Sequence, residues 1–206
     1  MMHERFATAR RKQVPVTVLA AALSACVVES EQLNSERIES RFGSYGIEVL
    51  SSKDGVRRSN LYSVDGDRRI CRTYAVVRFD DVPESIIDRE HAQILAGQSI
   101  GAIFKHNGWA IFKETRYVGT HRFERDEHPV YALMARGDAP DLAMHVYRLL
   151  LKKDSQVIEY ATIIELHHPD YMGPEEIAEL YVVDAPAGLG DDALDAFSEL
   201  VDNTAW

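Results

Sequence analysis

Two turn signals, Lys53-Asp54-Gly55 and Asp65-Gly66-Asp67, divide residues 46–79 into three extended runs, 46–51, 56–64 and 70–79. Asp-Gly pairs suit the tight turns that join neighbouring antiparallel strands, because glycine takes up positive φ without steric cost. The three runs therefore predict an antiparallel meander. In the third, Cys71, Thr73, Ala75, Val77 and Phe79 alternate with Arg72, Tyr74, Val76 and Arg78, the period of a strand with one core face and one mixed face.

Residues 142–151 and 157–166 are rich in Val, Ile, Leu and Tyr and flank a short polar turn, which predicts a long closing hairpin. Residues 109–118 form a further strand after the Asn107-Gly108 turn. A short helix is expected after the tether, capped by Asn34 or Ser35 and stopped by Gly43, and another over 83–95, where Ile86, Ile87, His91, Ile94 and Leu95 recur at helical spacing. Short helices follow at 102–106, 174–181 and 191–201, and residues 121–141 read as irregular. The class expected is α+β, an antiparallel sheet with flanking helices.

The N-terminus has another character. Arg10, Arg11 and Lys12 precede a charge-free run, residues 14–25, that ends Leu23-Ser24-Ala25-Cys26. A basic cluster before about 12 apolar residues fits a secretory signal, whereas a membrane-spanning helix needs ~20. The last four residues resemble the lipobox of bacterial lipoproteins. The resemblance implies cleavage before Cys26, lipidation of that cysteine and attachment to a membrane facing the periplasm, with Val27 pointing to the outer membrane in a diderm host. Residues 27–39 then read as a polar tether. The alternative is a buried first helix in which Cys26 is a small apolar residue.

Composition narrows the function classes. The net charge of -10 argues against a nucleic-acid protein, since neutralising phosphates needs clustered Lys and Arg. Residues 154–206 contain 13 acidic residues and no Lys or Arg, while residues 27–153 hold 19 of each sign. Two cysteines, Cys26 and Cys71, cannot supply a disulfide framework. If Cys26 carries lipid, Cys71 is a lone buried thiol. His167 and His168 adjoin one another, so they face opposite sides of a strand, and no spacing typical of a metal site, phosphate loop or nucleophile elbow is present. No metal or cofactor is implied.

In order and spacing, residues 57–172 resemble the chorismate lyase-like fold, shared with the UTRA effector-binding domain. Residues 58–66, Arg-Ser-Asn-Leu-Tyr-Ser-Val-Asp-Gly, look like the lyase strand that starts with arginine and ends in an Asp-Gly turn. Residues 72–77, 95–104 and 146–164 resemble the next strand, the glycine loop with its helix, and the closing hairpin. The resemblance implies a small-molecule pocket between sheet and helices. It places Arg58 on the carboxylate-binding arginine, and Arg72 on a second arginine after a one-residue slip that turns its side chain to the other face. Gly97 and Gly101 would bring backbone amides to an anion; loop punctuation explains them equally well. The position matching the lyase's catalytic acid is Ala161, which argues against catalysis. Glu159 and Glu165, expected on the same strand face as Ala161, remain the alternative acids.

The division expected is a signal over 1–25, the lipidated cysteine, tether and short helix over 26–44, the α+β domain over 45–172 and an acidic helical extension over 173–206. Three functions follow. The first is a membrane-anchored periplasmic lipoprotein that binds a small anionic ligand or a protein partner without catalysis. The second is an enzyme acting on a small aromatic carboxylate. The third is an envelope structural or assembly factor whose acidic C-terminus recruits a basic partner. A winged helix-turn-helix has no room before the first strand.

Overall fold

Glycine and aspartate set the strand connections. At the first turn Asp54 and Gly55 both take positive φ, 53° and 74°, the twist that matches a tight hairpin. Gly66 (φ 57°) and Asp154 (φ 54°) serve the next two hairpins. The computed structural model describes residues 27–29, 32–79, 86–181 and 191–202. Its strands are β1 (Val27–Glu29), β2 (Gly46–Lys53), β3 (Val56–Asp65), β4 (Arg68–Phe79), β5 (Ala110–His121), β6 (Leu142–Lys153) and β7 (Gln156–His167).

Its helices are α1 (Asn34–Phe42), α2 (Asp88–Leu95), α3 (Ile100–His106), α4 (Pro129–Leu133), α5 (Pro174–Leu180) and α6 (Asp191–Asp202). The protein is α+β. All seven strands form one antiparallel sheet in the order β1-β5-β6-β7-β4-β3-β2. Two meanders, β2-β3-β4 and β5-β6-β7, are joined where β4 pairs with β7.

Both faces of the sheet are covered. On one, Val77, Ile111, Tyr147, Leu149 and Ile163 pack with Ile94 of α2 and Ile103 and Phe104 of α3. The same face continues to Leu61, Ala75 and Ala143 beneath Ile38 of α1 and Ile177 of α5. The opposite face carries Tyr74, Val76, Met144, Val146 and Ile164 beneath Val130 of α4 and Val201 of α6. Gly43 ends α1 in the left-handed region (φ 75°), as expected. The cap of α1 is Leu33, not Asn34 or Ser35; Glu36 reaches back to accept the Leu33 N–H at 2.9 Å.

Of the four register shifts among the strand pairs, those in β4 and β7 change which of the expected residues share a face. Leu61 pairs with Thr73 and Tyr62 with Cys71, so Arg72 is an extra residue in β4. Cys71 consequently joins Tyr74 and Val76 rather than Ala75 and Val77, against the unbroken alternation expected. In β7 the extra residue is Tyr160, because Leu149 pairs with Ala161 and Leu150 with Glu159.

The acidic C-terminal segment belongs to the core. Ile177 and Tyr181 are buried on one face, while Val201 is buried and Phe197 and Leu200 pack on the other. Nor are residues 27–39 a simple tether, since Val27–Glu29 pair with Phe112–Glu114 of β5 and α1 follows. The helix expected over 83–95 is found as Asp88–Leu95; residues 80–85 lie outside the described residues, as do the proposed signal and Cys26. Within 121–141, expected to be irregular, His128 accepts the Val130 N–H at the start of α4. No helix among the described residues is long and apolar enough to cross a membrane.

Candidate ligand site

A cavity of about 90 Å³ opens on the face covered by α1 and α3. Its floor is sheet: Ser59 and Leu61 of β3, Ala75 and Val77 of β4, Ile163 of β7, Leu149 of β6 and Ile111 of β5. Its roof is Leu33, Asn34 and Ser35 at the start of α1 and Ser99, Ile100 and Gly101 at the start of α3. Small residues leave the space open. A Cβ on Gly101 would lie 2.8 Å from Leu33 Cδ2, so glycine allows this close approach of the two roof segments.

Three charged side chains line this mostly aliphatic space: Arg57, Lys113 and Glu165. Arg57 is 1% exposed. Its Nε donates to Ser59 Oγ at 3.0 Å, and Nη1 donates to the carbonyls of Ile94 (2.8 Å) and Gln98 (3.0 Å). Among the described residues Nη2 has no hydrogen-bond partner and no carboxylate pairs with the guanidinium. Burial lowers its pKa from the usual arginine range. An arginine nonetheless stays charged, so the cavity wall holds a positive charge that nothing described neutralises.

Lys113 and Glu165 neutralise one another. Nζ and Oε2 are 3.6 Å apart, with side chains 7% and 6% exposed. Burial works against both charges, but each outweighs it for the other: Lys113 is held well above the usual lysine range, helped by Tyr147 and Tyr181, and Glu165 below the usual carboxylate range, helped by His167 and Asn34. Asn34 Nδ2 donates to Glu165 Oε1 at 3.1 Å, and Lys113 Nζ donates to Tyr181 Oη at 3.3 Å and lies 4.3 Å from the Tyr147 ring centroid.

Two neutral histidines back the pair. His167 Nδ1 sits 3.0 Å from Thr73 Oγ1 and its Nε2 3.9 Å from Glu165 Oε2; burial, partly offset by Glu165, pushes it down to about 4. His145 is stacked on Tyr181 at 4.0 Å, with Nε2 3.0 Å from Thr115 Oγ1, and burial followed by Lys113 drives it well below the usual histidine range.

The structure distributes the expected residues unevenly. Glu165 and Gly101 line the cavity. Arg58 does not: successive strand residues face opposite ways, and Arg58 Nη2 donates to the Leu200 carbonyl of α6 at 3.0 Å, beneath the other face. Arg72 lies apart as well, with Nε donating to Ser63 Oγ at 2.8 Å and its guanidinium 3.8 Å from the Phe42 ring centroid. Gly97 does not line the cavity; its N–H donates to the Ile94 carbonyl at the end of α2. Glu159 is separated from Ala161 and Glu165 by the Tyr160 bulge and pairs instead with Arg148 at 2.9 Å. Ala161 is core, packed with Tyr160 and Ile163.

Sequence reasoning missed Arg57, Lys113 and Asn34. A faint signal existed for Arg57, the strand neighbour of Arg58 with Ser59 and Leu61 on its own face. His168 is buried, with Nε2 3.0 Å from the Met134 carbonyl and Nδ1 accepting the Asp170 N–H, which agrees with a structural role on the face opposite His167. No protein-family model matches the sequence, and no curated protein is similar to it.

Proposed function

We propose that the protein binds a small carboxylate in this cavity, with Arg57 as the anchor. The observation that carries the reading is the buried Arg57 guanidinium, which lies in a cavity wall and has no counter-charge among the described residues. Burying an unpaired charge costs several kcal/mol, and a bound carboxylate offsets that cost with charge-assisted hydrogen bonds. The resemblance to the chorismate lyase-like fold supports the same reading, with the arginine role falling one residue before the position expected.

A thermal-shift screen of the full chain with hydroxybenzoates, aliphatic carboxylates and uncharged amide analogues tests it, because a ligand that binds only the native state raises the melting temperature. Carboxylates are expected to raise it and amides to leave it unchanged. The shift disappears in Arg57→Met and survives in Arg58→Met; a shift that persists in Arg57→Met overturns the assignment.

A second reading, catalysis, is favoured by one observation: Glu165 lines the same cavity, ionised beside Lys113 and 3.9 Å from a neutral His167. Glu165 then acts as the acid/base. Product formation from aromatic carboxylates that is lost in Glu165→Gln supports it.

The cellular address is proposed from residues 10–26. Cys26 carries lipid and holds the domain on the periplasmic side of a membrane. Fatty-acid labelling that disappears in Cys26→Ser supports this; an unlabelled full-length wild type contradicts it.

A further inference from the structure

We infer that the ligand is a short aliphatic hydroxy acid, of about three or four carbons, whose hydroxyl lies between Lys113 and Glu165. This rests on the carboxylate reading above and names its chemical class.

Size is the first argument. The cavity measures about 90 Å³, whereas an apolar cavity that admits benzene measures about 150 Å³. The enclosed part of the space therefore suits a chain of a few carbons better than a six-membered ring with a carboxylate. The floor agrees. Leu61, Ala75, Val77, Ile111, Leu149 and Ile163 are aliphatic, and the two aromatic side chains of the lining are Tyr45 and Tyr147.

Register places the polar groups at separate points of that floor. Arg57 is opposite Val77, which is opposite Ile163; one row along, Ser59 is opposite Ala75, which is opposite Glu165. Arg57 and Glu165 are thus two strands and one row apart, about 12 Å between Cα atoms on standard sheet spacings. Ala75 and Val77 lie between them, and Ala75 is the smallest side chain of the floor. A ligand with an ionic end at Arg57 therefore passes over apolar surface before meeting the Lys113–Glu165 pair.

The chemistry of that pair selects the second group. Lys113 is a donor and ionised Glu165 an acceptor, and their 3.6 Å separation is longer than a direct hydrogen bond. A hydroxyl accepts from Nζ and donates to Oε2 at once. A ketone serves only the lysine, an ammonium only the glutamate, and a methyl neither. Lys113 already donates to Tyr181 and Glu165 accepts from Asn34. The hydroxyl uses a further donor of the ammonium and a further lone pair of the carboxylate, so the site favours the hydroxy acid over the analogue that lacks it.

Titration calorimetry on the full chain with 3-hydroxypropionate, 3-hydroxybutyrate, propionate, butyrate, benzoate and 4-hydroxybenzoate tests the inference. The hydroxy acids are expected to bind more than tenfold tighter than propionate and butyrate, and the aromatic acids more weakly than either hydroxy acid. Lys113→Met removes the hydroxyl preference while retaining some carboxylate binding. Should that variant fail to fold, Ala75→Val keeps every charged group and narrows the passage; it is expected to weaken 3-hydroxybutyrate more than the slimmer 3-hydroxypropionate. Equal affinity for hydroxy and deoxy acids overturns the hydroxyl assignment, and tighter binding of an aromatic acid overturns the aliphatic one, in both cases with the carboxylate reading intact. Absence of binding by every carboxylate overturns the carboxylate reading itself.

Discussion

Lys113 of β5 and Glu165 of β7 meet across β6, Nζ to Oε2 3.6 Å, with both side chains almost out of solvent. Attraction between buried charges barely exceeds the cost of desolvating them, but breaking such a pair strands one charge. Lys113→Met is therefore expected to destabilise the fold by about 3–5 kcal/mol in urea denaturation. The double variant Lys113→Met/Glu165→Gln regains most of that loss, since the Gln side-chain oxygen still accepts from Asn34. A single variant within about 1 kcal/mol of wild type would contradict the pairing.

Stability should fall on mild acidification. The folded protein keeps His167 neutral down to about 4, whereas the unfolded chain protonates it near 6.5. Between those values the unfolded state binds more protons, so stability decreases as pH drops through the window, by roughly 3 kcal/mol for this one group. His145 acts in the same direction. Glu165 adds a further loss at lower pH: its folded pKa is depressed, so its contribution is complete above the unfolded value and disappears as pH falls through the folded one. Denaturation midpoints measured from pH 7.5 to 4 check this, and His167→Gln is expected to flatten the slope between 6.5 and 4.

Arg58 and Arg57 should separate cleanly in their effects. Arg58 donates to the Leu200 carbonyl in the last turn of α6, where a cation also complements the helix dipole. Arg58→Ala is expected to cost about 1–2 kcal/mol and to raise hydrogen exchange in α6 without changing ligand binding. Unchanged exchange in α6 would show that this contact does not hold the helix.

Why Arg58 stands out in the sequence, and Arg57 in the cavity, has a physical reason. Alternation gives the phase of a strand only when one face is wet, and here helices cover both faces. β3 consequently buries Arg57, Arg58, Ser59, Asn60 and Leu61 in succession, leaving polarity without a phase. Turn chemistry was more informative: Asp54-Gly55 and Gly66 delimit the meander as expected, and the closing hairpin around Asp154 follows the same logic. Bulges were not legible, because the extra residues Arg72 and Tyr160 are ordinary strand residues. Tyr160 alone inverts the expected kinship of Glu159 and Glu165. Lys113 escaped notice since a strand lysine is normally solvated; its burial depends on Glu165, 52 residues later in the chain.

Filling the cavity should be nearly free of strain. Adding two methyl groups to a packed core costs about 1–3 kcal/mol, but Ala75→Val directs them into open space. The variant is expected to stay within about 1 kcal/mol of wild type in thermal denaturation. A larger loss would mean that the floor around residue 75 is already closed.

The account stands or falls on the buried Arg57, which no carboxylate among the described residues neutralises. The most direct measurement is titration of 3-hydroxybutyrate into wild type, Arg57→Met and Arg58→Met in parallel. One-to-one binding to wild type and Arg58→Met, with no detectable heat in a folded Arg57→Met, is the predicted result. Undiminished binding to Arg57→Met, or binding lost only in Arg58→Met, would contradict it.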